Sequence, residues 1–346
     1  MKYLFILGRN LELSISEIKN YLEKTNRKIL NNSLNKNGFL VEIDKKLNEN
    51  EIDFLGGIIS IGEVVCEIKD LDKIEIYLGE KNNINYSVWN FSEKFNEIRD
   101  YLKKRFRKEK LKAVFKPSEN SSKVDEEYFV FEDYFGKIVQ KCDYKNLEKR
   151  DMNKPIRRES LAISPRLAKI MINLSQVKEN ETLLDCFCGI GVILQEALLQ
   201  NIRVIGIDKN KNAISGAQQN LNWFSFLKEN YKLINFDSKK VEVTKANVLV
   251  SEPDLGEVLK KIPTKEKAER ILNGFENLMI GVLNNLKKVV SERIVFTSPL
   301  IRIGKKRIGC NIEKICELTG LKLIEGSFDD FREKQIVGRR IFVLGK

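Results

Sequence analysis

Histidine is missing from all 346 residues, and with it goes the commonest zinc ligand. The six cysteines, at positions 66, 142, 186, 188, 310 and 316, form neither Cys-x-x-Cys pairs nor a secreted disulfide framework, so no metal site is expected. No apolar run reaches the roughly 18 residues of a membrane span. Met1 to Gly8 is too short for a signal peptide, so a soluble, cytoplasmic protein is expected. Acidic residues are in deficit: 49 Asp and Glu face 61 Lys and Arg, leaving a net charge of +12. Such an excess favours a polyanionic partner, nucleic acid first, although a merely solubilising lysine surplus gives the same number.

The length allows two or three domains, and 42% apolar content can supply real cores. The chain is organised around Thr182 to Leu199, where a short apolar run ends in Asp185, Gly189 and Gly191 follow, and an apolar-periodic segment begins at once. This pattern predicts strand, tight turn and helix. Glycine permits positive φ and close approach of a ligand, and the helix start offers unpaired N–H groups. A second strand, Arg203 to Ile207, ends in Asp208, about 20 residues past the glycines, where a carboxylate can accept from ribose hydroxyls.

Asp185-x-Phe187-x-Gly189-x-Gly191 lacks the third glycine of the dinucleotide fingerprint and carries an acid before the first. That carboxylate repels a pyrophosphate but not the ammonium end of S-adenosylmethionine, which is the expected cofactor. A βαβ unit whose glycines only turn the chain is the bland alternative. Cys186 and Cys188 alternate about Phe187 and are read as small packing residues beside the loop, with a redox role as the other reading.

The motif Asp185-Cys-Phe-Cys-Gly-Ile-Gly191, preceded by Ile163-Ser-Pro-Arg-Leu-Ala-Lys-Ile-Met-Ile-Asn-Leu174, resembles the tRNA guanine-N2 methyltransferases that carry a THUMP domain. The opening, Tyr3-Leu-Phe-Ile-Leu-Gly-Arg-Asn, resembles the archaeal-type, guanine-10-modifying members. The resemblance implies a Rossmann-like class I methyltransferase domain preceded by a ferredoxin-like α+β domain and a THUMP RNA-binding region. The expected division is 1–75 ferredoxin-like, 76–145 THUMP-like, 146–162 linker and 163–346 methyltransferase. It also implies methyl transfer from S-adenosylmethionine to the 2-amino group of a guanine in tRNA. A monomer is expected, with the need for a small activator subunit left open.

Along the amino-terminal part, Tyr3 to Leu7 and Phe39 to Ile43 read as strands, and Ser14-Ile-Ser-Glu17 fits a capping box before Ile18, Tyr21 and Leu22. Phe54 to Val65 reads as a helix-to-strand transition. Ile84 to Phe91 predicts a strand with one strongly aromatic face, and Phe95, Ile98, Leu102 and Phe106 recur at helical spacing. Between and after them stand Lys103, Lys104, Arg105, Arg107, Lys108, Lys110 and Lys112, a density that suits phosphate contacts better than a solvated face. Strands are expected at Ala113 to Ser118, Tyr128 to Phe131 and Lys137 to Gln140. The polar stretch Asp143 to Arg158 is the expected linker. In it Arg150-Asp151, Pro155, Arg157 and Arg158 resemble the family's Arg-Asp…Arg-Pro-x-Arg pattern, with Lys154 replacing one arginine.

In the second half Ser164-Pro165 signals a helix start, and Tyr231 to Phe236 reads as a third strand ending in Asp237, a candidate for adenine recognition or a solvated turn residue. A fourth strand, Ala246 to Val250, leads into Ser251-Glu-Pro-Asp-Leu-Gly256. Amino-methylating relatives place Asp/Asn-Pro-Pro-Tyr here, and an archaeal form reads Glu-Pro-Tyr-Leu-Gly. Glu252 then takes the acceptor place and Pro253 matches; against the first form Asp254 replaces the second proline and Leu255 the aromatic, and against the archaeal form Asp254 replaces the tyrosine. Base stacking is then missing unless Trp223, Phe224 or Phe226 supplies it. Residues 264 to 290 read as a long helix, with later strands at Arg293 to Pro299, Leu321 to Ile324 and Arg340 to Leu344. Seven strands in all suit a class I sheet. Three functions compete: tRNA guanine-N2 methylation, methylation of another RNA or DNA, and RNA binding with a decayed catalytic site.

Overall fold

The computed structural model describes residues 1–117, 124–157, 163–257 and 259–346, so Ser118 and Arg158 of the expected strand and linker lie outside the described residues. Contacts divide the chain into two compact units, residues 1–15 with 26–143, and residues 16–25 with 144–346.

The first unit is one mixed sheet. Its elements are β1 (Lys2–Leu7), α1 (Leu11–Lys24, shared between the units), β2 (Ile29–Asn35), β3 (Gly38–Ile43), β4 (Ile58–Glu67) and β5 (Asn83–Phe91), followed by α2 (Phe95–Lys108), β6 (Lys112–Phe115), β7 (Glu126–Phe131) and β8 (Tyr134–Lys141). The eight strands run in the order β2-β3-β1-β4-β8-β7-β5-β6, so a single sheet carries strands from both sides of residue 75. β5 pairs in parallel with β6 and β7.

The period-two pattern of β5 buries both faces rather than one. Tyr86 and Val88 pack with Ile98, Leu102 and Phe106 of α2, while Phe91 and Trp89 join Leu4, Ile6, Phe129 and Phe131 on the other side. The aromatic expectation for β5 therefore holds for two faces: Tyr86 meets Phe106 edge-on at 5.1 Å, and Trp89 stacks with Phe91 at 6.5 Å.

The capping box at Ser14 is not realised. α1 begins four residues earlier than that cap implies, where Asn10 Oδ1 accepts from the Leu13 N–H at 3.2 Å, and Ser14 Oγ instead donates to the Gly57 carbonyl at 3.1 Å. Asn10 is itself a preferred cap residue, and it overrides the later Ser-x-x-Glu signal.

The second unit contains α3 (Tyr144–Asn153), α4 (Pro165–Leu174), β9 (Thr182–Asp185), α5 (Val192–Leu198), β10 (Arg203–Asp208), α6 (Lys211–Trp223) and β11 (Tyr231–Asn235). It continues with β12 (Val248–Ser251), α7 (Lys265–Leu286), β13 (Ile294–Ile303), β14 (Lys306–Gly309), α8 (Ile312–Thr319), β15 (Lys322–Asp330) and β16 (Val337–Gly345). The expected start signal is real: Ser164 Oγ accepts from the Leu167 N–H at 3.2 Å, with Pro165 in the first turn of α4.

The sheet order is β11-β10-β9-β12-β13-β16-β15, parallel from β11 to β13 and antiparallel thereafter, with β14 as an added hairpin partner of β13. Seven strands in this order make a Rossmann-like α/β fold. Leu184, Ile207, Leu249 and Phe296 pack under Leu272, Met279 and Leu283 of α7, a continuous apolar face that fixes the parallel strands' register.

The polar stretch after Asp143 is largely helical. Arg150 Nη2 bonds Glu196 Oε1 at 2.5 Å, Lys154 is buried against Asp151, and Asn220 bonds both the N–H and the carbonyl of Ile156.

Candidate active site

β9 has β10 on one side and β12 on the other, so the strand order reverses there, the switch point at which open α/β sheets carry their ligand crevice, outside the carboxyl ends of β9 and β12. The residues that follow those ends are the loop 186–191 and the segment 252–256. Backbone geometry explains both glycines. Gly189 has φ +53° with nothing within 4 Å of where a Cβ would stand, and Gly191 caps α5 at φ +85°. One needs the left-handed conformation and leaves open space; the other starts the helix.

Asp185 is fully buried at the base of this crevice. Its Oδ1 accepts from Ser251 Oγ at 2.6 Å and from the Phe187 N–H at 3.1 Å, while Ser251 Oγ accepts from that same N–H at 3.1 Å. Ser251 thereby ties the end of β12 to the loop after β9. Burial, with smaller contributions from the Asp208 and Glu252 charges, pushes the Asp185 carboxyl up to about 7 against these hydrogen bonds. Asp208 lies at the end of β10, where its Oδ2 accepts from the Gly189 N–H at 3.0 Å and its Oδ1 from the Asn210 N–H at 2.8 Å. Ser238 Oγ donates to the Cys186 carbonyl at 2.5 Å, which holds the turn after β11 against the same loop. Asp237 beside it is exposed, and its Oδ1 accepts from the Lys239 N–H.

This donor set fits S-adenosylmethionine, the cofactor of a methyltransferase domain. Asp185 feels the negative charges of both Asp208 and Glu252, and a cationic ligand relieves that repulsion whereas a pyrophosphate deepens it. The open space at Gly189 gives a ligand direct access to backbone. Cys186 and Cys188 are free and buried, and burial pushes both thiols above their usual range, which suits packing and not redox chemistry. Among the described residues no cluster of possible metal ligands occurs, and no helix is long and apolar enough to cross a membrane.

Glu252 follows Ser251, the last residue of β12. Its carboxylate is paired with Arg339 Nε from β16, both side chains being largely buried, and it also takes a backbone hydrogen bond from Ile163. Burial raises its pKa, and the Arg339 charge opposes the rise. Pro253 is buried, whereas Asp254 is exposed and its Oδ1 accepts from the Gly256 N–H at 3.0 Å, closing a turn in which Gly256 has φ +97°. Arg339 and Ser251 are not among the residues the sequence singles out. Arg339 is 87 residues from its partner and carries no local signal.

The expected aromatic substitutes are not at this edge. Asn222, next to Trp223, accepts from the hydroxyl of Tyr231, the first residue of β11, at 3.2 Å. β11 is parallel to β10, β9 and β12, so Trp223, Phe224 and Phe226 belong to the amino edge of the sheet, opposite Glu252. Their rings pack on one another at 4.9 and 5.3 Å.

In the first unit, the run on and after α2 resolves into two kinds of cation. Lys103, Lys104, Arg107, Lys108, Lys110 and Lys112 are exposed. Arg105 is structural: it pairs with Glu109 and donates to Tyr101 Oη and the Asp72 and Ile74 carbonyls.

A family model described as DNA methylase matches residues 9–219, and one described as RMKL-like methyltransferase domain matches residues 148–299. The tRNA (guanine(10)-N2)-dimethyltransferase of Methanothermobacter thermautotrophicus is 33% identical over 115 residues, 33% of this chain and 33% of that protein. Its namesake from Methanocaldococcus jannaschii is 35% identical over 30% of each chain. The chain is thus matched over about a third of the length of these curated relatives. The crystal structure of TrmN from Thermus thermophilus shares the fold over 100% of both chains, with a TM-score of 0.53 at 11% identity. Matched over residues 9–219, more than half its length, by the first model, and over much of the unit that carries the Gly189 loop by the second, the chain belongs to this methylase family.

Proposed function

We propose that the chain transfers a methyl group from S-adenosylmethionine to the exocyclic 2-amino group of a guanine in tRNA. The observation that carries this is the meeting of the Asp185–Ser251 pair, the Gly189 loop and the Glu252 carboxylate at one switch-point crevice. The names of the curated relatives make guanine 10 the first candidate base. The longer family description names DNA, but the exposed cations of α2 and the relatives' substrate favour tRNA.

The cofactor, once bound, supplies a methyl group already activated on sulfonium, so the protein's work is alignment and charge placement. Asp185 holds a negative charge under the loop, and Asp208 and the Gly189 backbone shape its rim. Glu252 faces the amine. A carboxylate has about four acceptor sites; Arg339 and the Ile163 N–H occupy two, leaving capacity for the amine hydrogens as positive charge develops on nitrogen. Pro253 stiffens the segment behind it.

In this reading residues 1–75 form the ferredoxin-like part and 76–145 the THUMP part of the first sheet. Residues 146–162 link them to a methyltransferase domain at 163–346, and a cytoplasmic monomer acts on tRNA. The exposed lysines of α2 support the RNA-binding part of this assignment. Purified protein, labelled S-adenosylmethionine and an unmodified tRNA transcript test it, with nucleosides read by mass spectrometry. N2-methylated guanosine is the expected product. Methyl appearing only on adenine or only in DNA would overturn the substrate, and binding of tRNA and cofactor without transfer would leave an RNA-binding protein.

A further inference from the structure

The second unit carries a groove of about 500 Å³ that the cofactor site does not use, walled by Arg302, Lys305, Arg307, Phe331 and Arg340. Strand alternation sets it apart from the catalytic carboxylate. Arg302 stands opposite Arg307, and Arg340 opposite both Ser298 and Asp329, so these three arginines share one face of the β13–β16 ladder. Arg339, the partner of Glu252, points to the other face.

The charges do not cancel. Asp329 is spent on Arg340 through two bonds of 2.5 and 2.8 Å, and among the described residues Glu333 is the one other carboxylate lining the groove. Arg302 and Arg307 donate to backbone carbonyls, those of Gly304, Glu333, Arg332 and Gln335, and Asp329, already bonded to Arg340, is the carboxylate whose charge also reaches Arg307, so four cations face two acids in the groove. Arg307 Nη1 has no partner among the described residues. Its guanidinium lies 4.1 Å over the Phe331 ring, which is 38% exposed, while burial and the neighbouring Arg302 charge push it below the ordinary range. Lys305, Lys306, Arg332 and Lys334 are exposed nearby in the chain. A fixed planar fork, flexible ammonium groups and a half-exposed aromatic ring in an open trough are the parts used to track a nucleic-acid strand: cations for phosphates, a ring for a base.

We propose that this groove holds the sugar-phosphate backbone of an unpaired RNA segment, with a base stacking on Phe331. The proposal rests on the reading of the chain as an RNA methyltransferase. It gives the methyltransferase unit an RNA-binding surface of its own.

The test is fluorescence anisotropy of labelled tRNA transcript and of a short single-stranded RNA on the full chain across a salt series, with cofactor binding by calorimetry and thermal melting in parallel. Lys305→Glu with Phe331→Ala is expected to weaken both RNAs about tenfold and to flatten the salt slope by about 1, the share of a single neutralised phosphate. Arg307→Lys, which keeps charge and loses the fork, is expected to weaken them several-fold. Cofactor affinity should stay at its wild-type value in all of them, and melting should stay there for Lys305→Glu, whose side chain is exposed. Unchanged RNA affinity and slope in these variants, while Lys103→Glu with Lys104→Glu does weaken tRNA, would overturn the groove and leave the RNA reading standing. Displacement of nothing but inorganic phosphate would overturn it as a free-anion site. A wild-type protein that prefers duplex DNA to tRNA would remove both readings together.

Discussion

Arg339 and Glu252, 87 residues apart, are joined by an ion pair that ties the last strand of the sheet to the segment where methyl transfer is expected. Their side chains are only 19% and 10% exposed, so the pair is largely desolvated. Burial favours the neutral acid at Glu252, and Arg339 is the charge that opposes it.

Arg339→Gln should therefore raise the Glu252 pKa further and move the acid limb of the kcat profile to higher pH. Because acceptance from the amine needs the carboxylate, activity at neutral pH should fall more than activity at alkaline pH. Leaving one buried charge unpaired should also destabilise the fold by about 3 kcal/mol or more. A pH–rate profile superimposable on wild type would show that Arg339 is only packing.

Asp185 should make cofactor binding pH-dependent. Its folded pKa, about 7, lies above the ordinary value of 3.8, so ionisation is costlier in the folded chain and its contribution to stability is lost as pH rises toward 7. Melting of the ligand-free protein should fall over that window. Binding runs the opposite way: a cation needs the carboxylate, so affinity should tighten from about pH 6 to about pH 8 with release of a proton. Asp185→Asn should flatten both trends, as calorimetry in buffers of different ionisation enthalpy would show.

Asp208→Ala removes the expected ribose acceptor and the partner of the Gly189 N–H together. Cofactor affinity should drop by about 1–3 kcal/mol, the scale of a lost charged hydrogen bond, with the global fold intact. Equal affinity for wild type and variant in calorimetry would exclude Asp208 from the pocket.

Much of the second sheet can be read from the chain, because Asp185-x-Phe187-x-Gly189-x-Gly191 and the apolar runs of β9 to β13 are local signals with a local cause. The Glu252–Arg339 pair cannot: nothing near residue 339 says which face of an antiparallel strand will look toward residue 252. The helix start at Asn10 is illegible because two adjacent cap signals compete, and only the tertiary bond of Ser14 to Gly57 decides between them. Trp223, Phe224 and Phe226 mislead for a related reason. Their distance in sequence from Glu252 is short, but the return leg through α6 carries them to the opposite edge of the sheet.

The basic run of α2 should separate into phosphate-binding cations and struts. Lys103→Glu with Lys104→Glu and Lys108→Glu should weaken tRNA binding and reduce the salt slope by roughly 0.9 for each phosphate no longer neutralised. Arg105→Ala should mainly lower the melting temperature, since that side chain holds Glu109 and the Asp72 and Ile74 carbonyls. A salt slope that responds to Arg105 and not to the lysines would reverse the assignment.

In the proposed reaction Asp254 bears on how the base is held. In the resembling enzymes an aromatic ring stands at this place, and stacking contributes about 1–3 kcal/mol per base. Here an exposed carboxylate instead closes a turn by accepting from Gly256, and the aromatic residues of α6 are too badly placed to substitute. The turn needs only an acceptor oxygen, so Asp254→Asn should leave kcat and KM within about twofold, a cost under 0.5 kcal/mol. Asp254→Tyr loses one exposed hydrogen bond, about 1 kcal/mol at most, and supplies the missing ring. It should lower KM for tRNA while kcat changes little, because stacking acts on the extruded base before and during transfer alike. Glu252→Gln should do the reverse, cutting kcat by about 3 kcal/mol of transition-state stabilisation with KM nearly unchanged. Steady-state methyl transfer to an unmodified transcript separates the cases. A hundredfold fall in kcat for Asp254→Asn would make Asp254, not Glu252, the carboxylate that meets the amine.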